Sequence, residues 1–460
     1  MSGFREFRYG WPVVVSSALG IALGMSPLPF YTIGVFAGPL AAEFGWAIGE
    51  IMSALAVFTL VAMASSPLVG WLTDRLGVRR VVLTSITLFS LSFMAFALNN
   101  GSRTLYLGLW GLLAFAGAGT LPITFTRAVS NWFNEKRGLA LGIALIGTGI
   151  SGALAKILAG WLIEQYGWRM AYVGVGALPL LIALPVAFAL FRDVDDPKAA
   201  KRAAAMQAHR TASGTAGGAY GLSLGQALRD WRFWLLAAVF VPLSFAIGGP
   251  IPNLETLLDT KGFSREQAVF LASVIGYSVL VGRLLGGYLL DHIWAPLLAC
   301  VMLMAPAASM ILFQLAEPSY AQAMLAVVLL GVAAGIEYDL IAYLVSRYFG
   351  IRSYGAIYGI LYAFFALGAG FGPAVYGRVL DQTGSYDAAL HGSMYAFIVC
   401  SLALLALGRY RDEELKMMTG ETAAPADGPS AAGEASPVSG AGAAAALAAN
   451  EPPSTQRKET

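Results

Sequence analysis

The chain has 460 residues, of which 57% are hydrophobic and 12% charged, with a net charge of +2 and a mean hydropathy of +0.67. Soluble domains carry about 25% charged residues, so this composition excludes one. A net charge this small offers no bulk attraction to nucleic acid, and none is expected as a partner.

In chain order, residues 1–10 carry Arg5 and Arg8 and lead into an apolar stretch at 11–41. That stretch is too long for the apolar core of a signal peptide and is read as a retained first helix. Further apolar segments follow at 49–71, 80–98, 103–128, 137–163 and 168–191, completing a first group of six. A second six lies at 233–258, 266–290, 295–315, 321–347, 354–380 and 388–408. Each is long enough to cross roughly 30 Å of hydrocarbon. Backbone polar groups must be satisfied inside lipid, so the segments are helices, and the alternation of a membrane barrel is absent. The expected fold is an all-α membrane protein with twelve transmembrane helices in two pseudo-symmetric six-helix bundles, 1–192 and 231–411. Between them, 193–230 is expected to be a polar cytoplasmic linker, partly helical. From 412 to 460 the chain is rich in Ala, Gly, Pro, Ser and Glu, and a disordered cytoplasmic tail is expected.

Arg103, Arg169, Lys261, Arg265 and Arg378 lie near one set of loops, while most of the 29 Lys and Arg lie near the other set and the termini. The positive-inside rule puts that basic end and both termini in the cytoplasm. The Ala- and Gly-rich composition suggests a bacterial inner (plasma) membrane. Cys300 and Cys400 fall within apolar segments and read as packing residues. No metal-spaced His/Cys cluster and no phosphate-cradling Gly-Lys-Ser/Thr loop occurs, so no enzyme activity, cofactor or metal is expected.

The chain repeats itself. Gly70-Trp71-Leu72-Thr73-Asp74-Arg75 recurs as Gly287-Tyr288-Leu289-Leu290-Asp291-His292, 217 residues later. At the same offset, Trp161-Leu162-Ile163-Glu164-Gln165-Tyr166-Gly167 recurs as Arg378-Val379-Leu380-Asp381-Gln382-Thr383-Gly384. A duplicated apolar bundle is the signature of a two-lobed transporter that rocks around a central site. Pro27-Leu28-Pro29 and Pro250-Ile251-Pro252 break the first and seventh helices. Tyr31 and Asn253 follow these breaks and are read as substrate-facing candidates.

The loop after the second segment, from Gly70 through Asp74, Arg75 and Gly77 to Arg79 and Arg80, resembles the hallmark loop of the major facilitator superfamily. The resemblance implies a conformational-switch motif. Gly70 permits close helix contact, Asp74 and Arg75 pair across the lobe interface, Gly77 makes the turn, and Arg79 and Arg80 mark the cytoplasmic face. Asp291 is its counterpart in the second repeat. A narrower resemblance is carried by three stretches. Asn131-Trp132-Phe133-Asn134-Glu135-Lys136-Arg137-Gly138 looks like the loop entering helix 5 of monocarboxylate transporters and oxalate/formate-type antiporters. Residues 368–377 with Asp381 to Tyr386 look like their helix 11, and 282–291 like their helix 8, where that family places a substrate-binding arginine. Arg283 stands at that position. The chain departs from the family at Val279, where animal members carry Asp, and in having no Lys in the first helix. Helix 11 holds Phe364, Phe365 and Gly368 rather than a second cation, and helix 5 has Ala155-Lys156 in place of the Gly-Pro pair of drug antiporters.

Charges inside a membrane need a reason. Arg283 lies eight residues before Asp291, roughly 12 Å above the basic boundary, and is read as the substrate-binding cation. Asp339 precedes Arg347 by the same number of residues and lies at similar depth, on one helix face with Tyr343, a further substrate-side candidate. Glu337 points roughly 200° away from Asp339. Either acid is read as a structural partner or as the proton-coupling group, with Asp339 preferred. Arg127 reads as a lobe-interface residue, and Lys156 as snorkelling to the outer surface, with a cavity role as a second cation as the alternative. The expected function is secondary transport of a small organic anion, a monocarboxylate-like carboxylate, with a proton across the lipid bilayer by a monomer. Exchange without proton coupling, drug efflux and a transport-dead sensor stand as alternatives.

Overall fold

The computed structural model describes residues 4–194, 196–212 and 221–410; the tail expected at 412–460 lies outside them. The described chain is helical, and among these residues the one extended pairing is an isolated bridge between Gly221 and Gly350. Twelve crossings follow in order. The first, α1, is broken into Phe4–Ala22 and Leu28–Phe44. Then come α2 (Ala54–Leu76), α3 (Val78–Met94) and α4 (Arg103–Gly117 and Pro122–Trp132). The run Arg137–Leu190 holds two crossings. Gly167, at φ +78°, turns the chain where a side chain would be strained. Before it lies α5 (Arg137–Leu145 and the first part of Gly147–Leu178), and after it α6, which ends at Leu184–Leu190. The second half holds α7 (Trp231–Gly248 and Leu254–Thr260), α8 (Arg265–Leu290), α9 (Ala295–Gln314), α10 (Tyr320–Tyr348), α11 (Tyr354–Thr383) and α12 (Asp387–Leu404).

Local signals set these boundaries. Ser264 with Gln267 and Ser319 with Gln322 form capping boxes that start α8 and α10. Gly45 and Gly384 stop α1 and α11 in the left-handed conformation. At the proline breaks the backbone loses its ladder, and side chains repair it. Thr120 Oγ1 accepts from Met25 N at 2.9 Å in α1. Asn253 Nδ2 donates to Gly249 O at 2.9 Å and to Pro373 O at 3.3 Å in α7. Inside lipid each repair removes a cost of several kcal/mol.

The outer surface exposes Leu181, Phe188, Val301 and Val399, apolar area that water would penalise and lipid tails solvate. In the linker, the helix Ala200–Ala212 packs against the first segment of α1. Leu222 N donates to Phe349 O at 2.8 Å, tying the linker to the end of α10.

Candidate functional site

Two carboxylates close the basic end of the bundle. Asp74, near the end of α2, accepts from Gly355 N at 3.2 Å and Ala356 N at 2.9 Å in the first turn of α11. Asp291, just after α8, accepts from Gly138 N at 2.6 Å and Leu139 N at 3.0 Å in the first turn of α5. The first turn of a helix has unpaired N–H groups and the positive end of its dipole, so a carboxylate satisfies both. Each acid belongs to one half and caps a helix of the other. The 217-residue offset relates the two arrangements residue by residue: Asp74 to Asp291, Gly138 to Gly355 and Gly70 to Gly287. The glycines set the spacing. A Cβ on Gly70 would sit 2.5 Å from the carbonyl carbon of Gly355, and one on Gly287 would sit 2.6 Å from Gly138 O, so the halves meet backbone to backbone.

The expected switch residues divide unevenly around this gate. Arg127, not Arg75, reaches Asp74, at 3.2 Å. Arg75 stays exposed and lies over the Trp71 ring of its own helix at 4.5 Å; one residue on from Asp74, it is turned about 100° around the helix from the face that meets α11. Gly77, at φ +81°, makes the turn into α3. Arg79 binds within its own half, donating to Phe188 O at 2.8 Å and Phe191 O at 3.1 Å at the end of α6 and pairing with Asp196 at 3.5 Å. Arg80 is exposed. The hydroxyl of Tyr343, read from the sequence as substrate-facing, accepts from Arg347 Nη2 at 3.2 Å. Arg347 also donates to Asn134 O at 3.3 Å. Arg137, 1% exposed, crosses the halves to Ser346 Oγ at 2.9 Å. Glu6 was not singled out by the sequence, yet its buried carboxylate accepts from the backbone N–H of Asn134, Glu135 and Lys136 at 3.0–3.3 Å, holding the loop that enters α5.

The contact made by Asp291 is expected to depend on pH. Burial raises its carboxyl to about 6, against the opposing pull of the Leu139 and Gly138 N–H groups, Lys136 and Arg347. A water-exposed carboxyl titrates at about 3.9, so the closed gate holds the proton more tightly than an open one. Closure is therefore favoured as pH falls from about 6 towards 4. His292 lies at the same place, 3.1 Å from Lys136 Nζ, so the test uses His292→Gln to remove the neighbouring imidazole. Spin-label distances across the basic end of purified protein should shift towards the closed value between pH 7 and pH 5. Asp291→Asn should flatten the shift; an unchanged pH response in that variant would reject the assignment.

At mid-depth, Arg283 is 4% exposed and donates Nη1 to Leu145 O at 2.5 Å. Leu145 ends the first segment of α5, and its carbonyl also accepts from Thr148 Oγ1 at 3.0 Å. The guanidinium lies 5.8 Å from the Tyr338 ring, and its Nε is buried without a hydrogen-bond partner. Asp339 is fully buried within electrostatic reach of Arg283. Neither of its oxygens has a hydrogen-bond partner, and no ion pair joins the two side chains among the described residues. Asp339 lies seven residues along α10 from Val332, whose backbone packs on Gly282, so it shares the face turned to α8. Glu337, 2% exposed, lies eleven residues from Ala326, whose carbonyl accepts from Ser309 of α9. It therefore faces α9, away from Arg283.

An aromatic wall stands beside these charges. Tyr338 packs on Phe365 at 4.7 Å and on Tyr362 at 6.3 Å. Tyr31 is half-buried, within electrostatic reach of Arg283, and has Lys156 Nζ 5.6 Å over its ring. Lys156 is exposed and its ammonium rests over that ring. Asn253 uses its amide hydrogens to join the break in α7 to α11, a different place from Arg283.

A duplicated bundle with a closed end and a buried charge cluster between its halves defines a two-lobed membrane transporter. The chain belongs to the Major Facilitator Superfamily, whose family profile matches residues 19–373. It is 31% identical over 383 residues to an uncharacterized 38 kDa protein in a 23S RNA operon of Thermoproteus tenax, covering 82% of this chain and 91% of that one. It is 29% identical over 414 residues to monocarboxylate transporter 13 of Rattus norvegicus, covering 86% of this chain and 87% of the relative. Among solved structures, the E. coli fucose:proton symporter superposes with a TM-score of 0.64 at 15% identity, covering 88% of this chain and 99% of that one. The last shows the shared fold.

Proposed function

We propose that this transporter moves a small organic carboxylate together with a proton by alternating access. In this reading the basic end is cytoplasmic, the membrane is a bacterial plasma membrane, the carrier is a monomer, and residues 1–192 and 231–411 are the rocking halves. One observation carries the reading: a buried guanidinium with an unused donor beside a buried carboxylate that no protein group hydrogen-bonds. Similarity to a monocarboxylate transporter supports the substrate class.

A charge at mid-membrane costs roughly 2.5–3.5 kcal/mol, and the attraction between Arg283 and Asp339, which are not in direct contact, offsets part of it in the empty carrier. A carboxylate substrate gives the guanidinium a planar two-pronged partner. It then competes with Asp339 for that cation, and the displaced acid is left buried without compensation. Taking up a proton removes that cost, so substrate and proton load together. Asp74 and Asp291 keep the cytoplasmic end shut during loading.

Asp339→Asn, a permanently neutral side chain, tests the coupling. It should abolish accumulation driven by a pH difference in liposomes while preserving exchange of substrate between the two sides. Accumulation by that variant at the wild-type level would remove Asp339 from the role. Loss of both activities with normal folding would place it in substrate binding instead.

A further inference from the structure

We propose that the substrate carries two anionic groups, one held by Arg283 and the other by Lys156, with Tyr31 lying between them. The proposal rests on the carboxylate reading above and names its substrate class more narrowly.

Lys156 is positioned for this by its helix face. Gly149 of α5 faces Leu280 of α8, and Gly160 faces Val35 of α1. Lys156 is seven residues from the first and four from the second, so it shares their face, between α1 and α8. That is the side on which Arg283 enters from α8. Helical side chains also lean towards the N-terminus of their helix, and the N-terminus of α5 is at the basic end. Lys156 therefore leans inward, towards the depth of Arg283, and its ammonium rests over the Tyr31 ring. Along the axis of α5, Leu145, which contacts Arg283, and Lys156 are separated by roughly 16 Å, a span that the lysine side chain shortens from above. Among the described residues no carboxylate forms an ion pair with Lys156. One tyrosine is thus flanked by two cations from different halves, each without a carboxylate in contact.

Charge balance agrees. The empty site holds two cations and Asp339, a net charge of one. A monoanion with a protonated Asp339 leaves one positive charge uncompensated. A dianion with a protonated Asp339 leaves none, and net charge in a low-dielectric site is what the membrane penalises. An α,ω-dicarboxylate spaced by several methylenes spans the two cations, and the wall of Tyr338, Tyr362 and Phe365 contacts its apolar middle.

The experiment is calorimetric titration of the purified full-length protein at pH 7 with butyrate, succinate, glutarate and adipate. The expected result is that at least one dicarboxylate binds about tenfold or more tightly than butyrate. Lys156→Gln should lower dicarboxylate affinity to that of butyrate and leave butyrate unchanged, and Lys156→Arg should restore the preference. Equal binding of butyrate and all dicarboxylates, or a preference that survives Lys156→Gln, would overturn the second-anion site while leaving the carboxylate reading intact. Binding of none of the four acids by a folded protein would overturn both.

Discussion

Arg283→Lys is expected to reduce carboxylate binding and transport by about 10- to 100-fold while the protein inserts and folds normally. The charge survives the change, but the planar fork does not. Arg283 already spends Nη1 on Leu145 O, and its remaining donors point as a fixed set. A lysine ammonium at the same position either satisfies that carbonyl or meets the substrate. Hydrogen bonds to charged groups contribute about 1.5–3 kcal/mol each, which sets the range. Arg283→Ala should be more severe because it also leaves Asp339 without its cation. Counterflow of labelled carboxylate in liposomes reads the effect; normal uptake by both variants would end the assignment.

The second large effect is on switching and not on binding. Asp74→Asn removes the charge that caps α11 and leaves Arg127, 3.2 Å away, without its carboxylate. Charge at a helix terminus contributes about 0.3–2 kcal/mol, and the stranded guanidinium adds to the loss. The closed population should fall by about tenfold, since 1.4 kcal/mol is a factor of ten. Asp74 and Asp291 join different pairs of helices, so the effects of Asp74→Asn and Asp291→Asn on the closed population should nearly add. Transport should slow far more than equilibrium affinity weakens. Comparing exchange rates with calorimetric Kd values separates the two; lost affinity with undiminished exchange would contradict the gate.

Much of the fold was legible because lipid leaves so few options. Long apolar runs must be helices, and the recurrence of Gly70 and Asp74 at Gly287 and Asp291 shows the duplication directly. The depth of Arg283 and Asp339 is read from rise per residue alone. What the sequence concealed were partners with no side-chain signature. Asp74 and Asp291 bind backbone N–H groups, and Glu6 reaches a loop 128 residues away in the same manner. The 217-residue offset, applied to Gly138 and Gly355, was the one signal that pointed to those partners. The partner of Tyr343 was also hidden, because a shared helix face does not show that Arg347, one turn on, donates to its hydroxyl. For Asn253 the sequence did not show that a break in a membrane helix takes donors, here its amide hydrogens.

The central claim is that one carboxylate and one proton cross together through Arg283 and Asp339. The most direct measurement is uptake of labelled carboxylate by the purified protein in liposomes, with the membrane potential clamped at zero and protein-free liposomes subtracted. The account predicts accumulation above the external concentration when the outside is made one pH unit more acidic, and simple equilibration when the two sides match. Uptake that reaches the same level with and without the pH difference would contradict it.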